Sequence, residues 1–226
     1  MGWLARFKAL DNKQVGWLKI ATFVAAFMPF LLLVLRGWNS WRQQPFNLGA
    51  NPIEFITRDL GDATLIFLMI TLAVTPLRRL TGWQWLIKLR RMLGLFAFFY
   101  ASLHFATYIW LDQFFDLQDM VKDIIKRPFI TVGFLAFVCL IPLAGTSTNA
   151  MVKRLGGKRW QALHRLVYGI AILGVVHYWW LVKRDIREPL LYAAVLALLL
   201  GLRIYWNLQK RHKASRATTS TAGQGV

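Results

Sequence analysis

The sequence is poor in acidic residues and contains a single cysteine. Asp and Glu number 10 against 28 Lys and Arg, and charged residues make up 17% of the chain, below the roughly 25% of soluble domains. The lone Cys139 excludes an intrachain disulfide and an iron–sulfur cluster held by several thiolates. No glycine-rich phosphate loop precedes a helix, and no polar segment is large enough to bind a nucleotide by itself.

Long apolar runs fill the remainder of the chain, which is 57% hydrophobic. Crossing about 30 Å of hydrocarbon takes roughly 20 helical residues, so we expect an all-α membrane protein built as a bundle of six transmembrane helices within residues 17–207. The second and sixth runs are short and must recruit flanking residues. The six runs are Trp17–Leu35, Ala63–Leu77, Met92–Leu111, Pro128–Ala150, Leu166–Val182 and Pro189–Leu202.

The basic residues are distributed unevenly between the two ends of this bundle. The net charge of +18 forms no single patch, which excludes nucleic acid as the partner. Nineteen of the 28 basic residues share the side of the N-terminus, with Asp11 as its only acid. The positive-inside rule therefore predicts cytoplasmic termini, with residues 1–16 as the N-terminal segment and 208–226 as a disordered tail.

Two segments are expected on the opposite, outer side. Trp38–Asp62 contains several turn-forming residues. Asp112–Arg127 has apolar residues at helical spacing, which predicts a short amphipathic helix on the membrane surface.

Histidines are the candidate functional residues. His212 lies in the polar tail, whereas His104, His164 and His177 lie in or beside apolar runs. Ionisable residues in membrane helices usually mark function, although a histidine there can also make only a hydrogen bond between helices. Three histidines on two helices, in predicted spans without Asp or Glu, favour ligation of a metal over a proton pathway.

The expected depths of these histidines suggest a pair. His104 and His177 both fall in the outer half of the membrane, where they are placed to supply the two axial nitrogens of a heme. His164 lies about 20 Å below His177, a spacing that suits a second redox site. His164 and His177 are thirteen residues apart, which places them roughly 140° apart around an ideal helix. Either the helix distorts at Gly169 or Gly174, or His164 serves a different neighbour.

Small and basic residues surround these histidines. Ala97, Ala101 and Gly174 leave room for a flat cofactor, although small residues also mediate ordinary helix packing. Four arginines are placed to neutralise heme propionates, a flavin phosphate or a quinone head group, or serve only as topology charges. They are Arg78, Arg79, Arg91 and Arg165.

Several stretches resemble the ferric-reductase-like transmembrane family, and within it the heme-binding membrane subunits of bacterial methionine-sulfoxide reductase systems. The resemblance covers nearly the whole chain except its two ends. The stretches are RMLGLFAFFYASLHFATYIWLD at Arg91–Asp112, the segment Lys126–Arg187 with its LHRLVYGIAILGVVHYWW, GANPIEFITRDLGD at Gly49–Asp62, and Ile70–Gly82.

The resemblance implies a b-type cytochrome of the bacterial inner membrane, with one or two hemes b held by His104, His164 and His177. It implies electron transfer from the quinone pool, with FMN as an optional cofactor, to a periplasmic molybdopterin subunit that reduces methionine sulfoxide. Related NADPH oxidases carry two histidines on each of the two helices, whereas Arg91 occupies the fourth position here. The chain also lacks their flavin and nicotinamide domain.

Two other functions remain open from the residues. A transmembrane ferric or other metal reductase would share the heme but not the partner. A small transporter or membrane scaffold would use the histidines only for packing. Under the function that the resemblance implies, the chain relays electrons, and the reduction of the sulfoxide takes place on the partner subunit.

Overall fold

The computed structural model describes residues 10–182 and 185–222. Within these ranges all regular secondary structure is helical. Residues 1–9 of the predicted N-terminal segment and residues 223–226 of the predicted tail lie outside the described residues. The helices are α1 (Asn12–Trp41), α2 (Pro52–Thr81), α3 (Arg90–Thr107), α4 (Leu117–Lys126), α5 (Pro128–Gly145), α6 (Asn149–Leu155), α7 (Gly157–His164), α8 (Leu166–Leu181) and α9 (Arg187–Ala222), with a 3₁₀ turn at Gln84–Lys88 and a π-helical turn at Tyr108–Asp112.

Five of these helices are long and apolar enough to cross a membrane: α1, α2, α3 with its π-helical turn, α5 and α9. Their most apolar windows have mean hydropathies between 1.5 and 2.3. The remaining predicted span, the fifth (Leu166–Val182), corresponds to α8, whose 16 residues rise about 24 Å and fall short of the hydrocarbon thickness. The prediction of an all-α, multi-pass membrane protein is confirmed.

Helix α2 is much longer than the predicted Ala63–Leu77. Asn51 caps its first turn, Pro52 occupies a first-turn position where its missing N–H costs nothing, and Glu54 pairs with Arg58 at 2.6 Å. These local interactions stabilise a polar helical start that an apolar pattern does not detect. The helix consequently includes Asp59 and Asp62, which corrects the expectation that no acid lies in these helices.

Two other boundaries also differ from the prediction. Helix α5 ends at Gly145 instead of Ala150, and the hydroxyls of Thr146 and Ser147 donate to the Pro142 and Leu143 carbonyls of its last turn. Helix α9 runs on to Ala222, through residues 208–222 where the sequence predicts disorder. The Gln, Lys, Arg and Ala residues of that segment are good helix formers and can extend an existing helix. The amphipathic helix predicted within Asp112–Arg127 is confirmed as α4.

Four helices form the centre of the bundle. Helix α2 packs most extensively against α3, and α5 packs most extensively against α8. Helix α9 covers α2 and α8, and α1 lies on α3. We call the end that holds the 3₁₀ turn, α6 and α7 the basic face, and the end that holds residues 42–51 and α4 the α4 face.

Tyr100 joins α3 to the kinked helix α1. Its side chain is fully buried and stacks on Phe67. Its hydroxyl donates to the Ala26 carbonyl at 2.7 Å and accepts from the Phe30 N–H at 3.2 Å. Ala26 and Phe30 would pair with each other in a regular helix, and Pro29 lies between them. The tyrosine therefore bonds to backbone groups on both sides of Pro29 in α1.

Arg203 of α9 makes a similar contact with α2. Its guanidinium donates to the carbonyl of Leu72 and lies over the ring of Tyr168. Residue 76, four positions after Leu72, is a proline and has no N–H to give to that carbonyl. Arg203 supplies the hydrogen bond that α2 cannot make for itself, and so attaches α9 to the centre of the bundle.

Candidate functional site

His104 and His177 share a cavity of about 340 Å³ near the α4 face. His104 lies in the last turn of α3, and His177 lies in the last turns of α8. Their ring centres are 6.2 Å apart, and the ring planes are inclined by 80°. The volume lies within the range of cofactor sites, and most of the lining residues are apolar. The structure thus brings together the two histidines that the sequence predicts as a pair.

Both rings are held through the same atom. Nδ1 of His104 lies 2.9 Å from the carbonyl oxygen of Thr57 on α2, and Nδ1 of His177 lies 2.6 Å from that of Phe129 on α5. A carbonyl only accepts, so Nδ1 carries the proton in each neutral ring. The deprotonated nitrogen is then Nε2, which is the state a metal requires.

The separation of the rings fits one metal ion between them. A metal–imidazole bond is about 2 Å and each ring centre lies roughly 1 Å behind its nitrogen, which gives about 6 Å between centres. Among the described residues no group of three His, Cys, Asp or Glu side chains is placed to hold a metal. Two imidazoles are the donor set of an iron whose other ligands come from a porphyrin.

Polar groups lie at the rim of this cavity. The hydroxyl of Tyr108, in the π-helical turn that follows His104, is buried and has no hydrogen-bond partner among the described residues. Arg58, Asp62 and Arg127 also line the cavity. An orphaned hydroxyl beside two arginines fits the carboxylates of a heme. Sequence reasoning missed these residues, because a polar side chain at the end of an apolar run is usually read as interfacial.

A second cavity of about 270 Å³ lies toward the basic face. His164, Arg90, Arg91 and Trp160 line it, as does Thr71, whose buried hydroxyl has no partner among the described residues. Leu68 and Leu140 line both cavities and are buried, so the two leucines form the layer between them. The stacking of two sites predicted from the depth of His164 matches this arrangement.

His164 is held differently from the other two histidines. Its Nε2 lies 3.1 Å from the hydroxyl of Thr146, and its ring stacks on Trp160 at 3.9 Å. Burial lowers the pKa of His164, and the positive charges of Arg90 and Arg91 lower it further. The helix breaks at Arg165, immediately after His164, and not at either predicted glycine. His164 thus serves the second cavity.

The four predicted arginines take different positions. Arg91 lines the second cavity and donates to the side chain of Asn149 at 2.6 Å. Arg78 donates to Gln84, and Arg79 lies over the ring of Trp206. Arg165 is exposed between α7 and α8. The structure therefore places Arg91 with His164, and places the other three outside the residues that line the two cavities.

The predicted small residues divide in the same way. Ala101 lines the first cavity, whereas Ala97 is fully buried among the packed helices. Gly174 also lines that cavity, and a methyl group added to it would lie 3.1 Å from the side chain of Leu65. Ala101 therefore fits the predicted role, Ala97 fits helix packing, and Gly174 fits both.

Residues 60–175 match the family described as ferric reductase like transmembrane component. The chain is 60% identical over 202 residues to a protein of Herminiimonas arsenicoxydans, which covers 88% of this chain and 90% of that protein. It is 57% identical to a protein of Ralstonia nicotianae, covering 87% and 89%, and 54% identical to one of Azospira oryzae, covering 95% and 90%. All three are named protein-methionine-sulfoxide reductase heme-binding subunit MsrQ. No solved structure matches the chain.

Proposed function

This chain belongs to the ferric-reductase-like transmembrane family, and we propose that it is the heme-bearing electron-transfer subunit of a bacterial protein-methionine-sulfoxide reductase system. The observation that carries the proposal is the pair His104 and His177. The two rings lie 6.2 Å apart in one apolar cavity, each with Nδ1 bonded to a backbone carbonyl. The names of the relatives indicate that those proteins bind heme and belong to a methionine-sulfoxide reductase.

The chain's own residues create the conditions for this role. A bound heme b would supply the one-electron chemistry. The two carbonyls fix the orientation and protonation of the histidines, which would hold it from both sides. The apolar lining, which includes Leu65 and Phe137, keeps water away. The hydroxyl of Tyr108 and the guanidinium of Arg127 are placed to bind the carboxylates of the cofactor.

The second cavity is the proposed entry point for electrons. Arg90 and Arg91 would bind an anionic or quinoid group there, and His164 and Trp160 offer a flat surface for a ring. We propose quinol from the quinone pool as the donor, with a second heme held by His164 or an FMN as alternative occupants. The concentration of Lys and Arg on this side of the bundle supports its cytoplasmic placement.

In this arrangement the protein spans the bacterial inner membrane with both termini in the cytoplasm. The cavity of His104 and His177 then lies in the periplasmic half of the bundle. The electron acceptor would be a periplasmic molybdopterin subunit that reduces methionine sulfoxide in oxidised proteins. The membrane subunit relays electrons, and bond breaking at sulfur takes place on the partner.

An optical spectrum tests the heme assignment. Purified protein should show the reduced-minus-oxidised bands of a b-type heme, with the heme counted as its pyridine hemochrome. His104→Ala and His177→Ala should each reduce heme content about tenfold or more, because each removes an axial ligand. His212→Ala, on an exposed residue of α9, is the matched control and should retain full heme. A colourless wild-type protein from heme-replete cells would end the proposal.

A second measurement separates this function from ferric reduction. The reduced protein is mixed with the periplasmic reductase and a methionine-sulfoxide peptide, or with a ferric chelate alone. Rapid reoxidation of the heme that depends on both partner and sulfoxide supports the proposal. Reoxidation by the chelate alone, without any partner effect, would instead assign the chain as a metal reductase.

A further inference from the structure

The two carbonyls that hold His104 and His177 are each followed, one helical turn later, by a glycine. Thr57 is followed by Gly61 on α2, and Phe129 is followed by Gly133 on α5. The two helices contact different histidines from different sides of the cavity. The same arrangement of carbonyl, glycine and ring therefore occurs twice in this chain.

Both glycines lie directly against the imidazole rings. A Cβ atom added at Gly133 would lie 2.7 Å from Nδ1 and 2.8 Å from Cε1 of His177. One added at Gly61 would lie 3.3 Å from Cε1 and 3.4 Å from Nδ1 of His104. The distances at Gly133 are too short for any real contact, and those at Gly61 are tight. Only the absence of a side chain lets each ring approach the helix this closely.

The close approach of each ring to its glycine matters because the carbonyl one turn earlier points toward that glycine. In an α-helix the carbonyl of residue i is directed toward residue i+4, so a side chain at that position stands beside the oxygen. A methyl group at residue 61 or 133 would occupy part of the space through which Nδ1 reaches its acceptor. The glycine and the carbonyl together thus form the surface against which the ring packs.

We propose that Gly61 and Gly133 are positioning residues for the two histidines, and that they fix the Nδ1–H tautomer by admitting each ring to the carbonyl of the preceding turn. This inference rests on the proposed heme function, because that function is the reason to position the rings. The contacts between the glycines and the rings do not depend on it. It predicts a graded response, in which Gly133→Ala displaces His177 strongly and Gly61→Ala displaces His104 by a few tenths of an ångström.

Other glycines of the bundle provide the control. Gly169 lies on α8, the helix of His177, and a Cβ added there meets nothing within 4 Å. Gly169→Ala should therefore leave the heme spectrum and the heme content unchanged, and should not lower the melting temperature, because alanine is the better helix former. The same substitution at Gly133, on α5, brings the new methyl group against the ring of His177.

A double-mutant cycle on the full-length purified protein separates positioning from ordinary helix packing. Gly133→Ala should lower the melting temperature by about 4 °C or more in the wild-type background. With His177→Ala already present, the ring is gone and Gly133→Ala should cause no further fall. An equal fall in both backgrounds would overturn the proposal, since the glycine would then serve contacts other than the histidine.

Heme binding provides the second readout. Gly133→Ala should retain heme about tenfold less well than wild type. Gly61→Ala should keep its heme but shift the midpoint potential and the low-spin paramagnetic resonance signal, because the hydrogen bond to Nδ1 changes. If wild type binds heme and both variants match it in content, potential and signal, the inference fails while the proposed function stands. A wild type without heme would instead refute the proposed function.

Discussion

At the scale of single residues, buried hydroxyl groups compensate for defects in the helices. The hydroxyl of Tyr100 stands between Ala26 and Phe30, the two backbone groups that Pro29 separates in α1. Without it, the Ala26 carbonyl and the Phe30 N–H would each lose this hydrogen bond at a site that burial shields from water. Tyr100 is also one of the contacts that attach α1 to α3, beside the aromatic pairs Phe27–Phe99 and Phe30–Phe99.

Tyr100→Phe should therefore destabilise the protein although it keeps the aromatic ring. We expect a loss of about 1–3 kcal/mol, the cost of leaving buried polar groups unsatisfied. Thermal or denaturant unfolding in detergent measures it. Tyr205→Phe, on an exposed tyrosine of α9, is the control and should leave the melting temperature unchanged. A Tyr100→Phe protein that melts with wild type would show that Pro29 leaves no gap to bridge.

The sequence predicts the histidines of the site better than it predicts their supports. An imidazole in an apolar run is conspicuous, so the pairing of His104 with His177 follows from depth alone. Their acceptors are backbone carbonyls, which every residue has, so no residue type marks Thr57 or Phe129. The sequence also does not single out Gly61 and Gly133, because the glycines expected to matter, Gly169 and Gly174, lie in the helix of His177 itself. The signal was a glycine one turn inside each of the helices that face the pair.

At the scale of the helices, proline determines where neighbouring elements attach. Pro76 deprives the Leu72 carbonyl of its partner within α2, and Arg203 of α9 donates to that carbonyl instead. From the sequence, Arg203 counts only as one of the basic residues that set topology. Its real partner is a carbonyl 131 residues away, which local patterns do not reveal.

Arg203→Met should consequently cost about 2 kcal/mol in unfolding free energy, since it removes a charged donor from a buried acceptor. In a Pro76→Ala background the helix regains its own hydrogen bond, so the same substitution should cost less. Unfolding curves of the four proteins give the coupling. Lys210→Met, on the exposed end of α9, controls for the loss of charge. Equal costs in both backgrounds would contradict the link to Pro76.

Helix boundaries were predictable where apolarity alone defines them. Leu166–Val182 differs from α8 by one residue, whereas Ala63–Leu77 misses half of α2. The missing part is stabilised by the Asn51 cap and by the ion pair of Glu54 with Arg58, which act through specific atoms and not through hydrophobicity. Asp62 became part of the site only because that polar turn is helical.

At the scale of the whole molecule, the two cavities lie along the bundle between its differently charged ends. The basic residues concentrate at the end of the His164 cavity, and the acids concentrate at the end of the His104 and His177 cavity. Orientation in the membrane therefore decides which cavity faces the donor and which faces the acceptor. Under the orientation proposed from the positive-inside rule, the His164 cavity would face the cytoplasm.

Cysteine labelling in intact cells tests this orientation. In a Cys139→Ser background, a cysteine at exposed Gln44 should react with a maleimide that crosses the outer but not the inner membrane. A cysteine at exposed Lys158, near the opposite end, should react only after the inner membrane is permeabilised. The reverse pattern would place the His104 and His177 cavity in the cytoplasmic half and contradict the proposed direction of electron flow.

The buried pair Leu68 and Leu140 has a consequence for energy conservation. Electrons can tunnel past two aliphatic side chains, but a proton needs a chain of polar groups or water, and these leucines offer neither. Under the proposed function, an electron that passes from the second cavity to the first at these leucines would travel without a proton. Each turnover would move negative charge outward across part of the bilayer, and a membrane potential that is negative inside would assist this movement. Repair of oxidised proteins would then draw on the membrane potential as well as on the reductant.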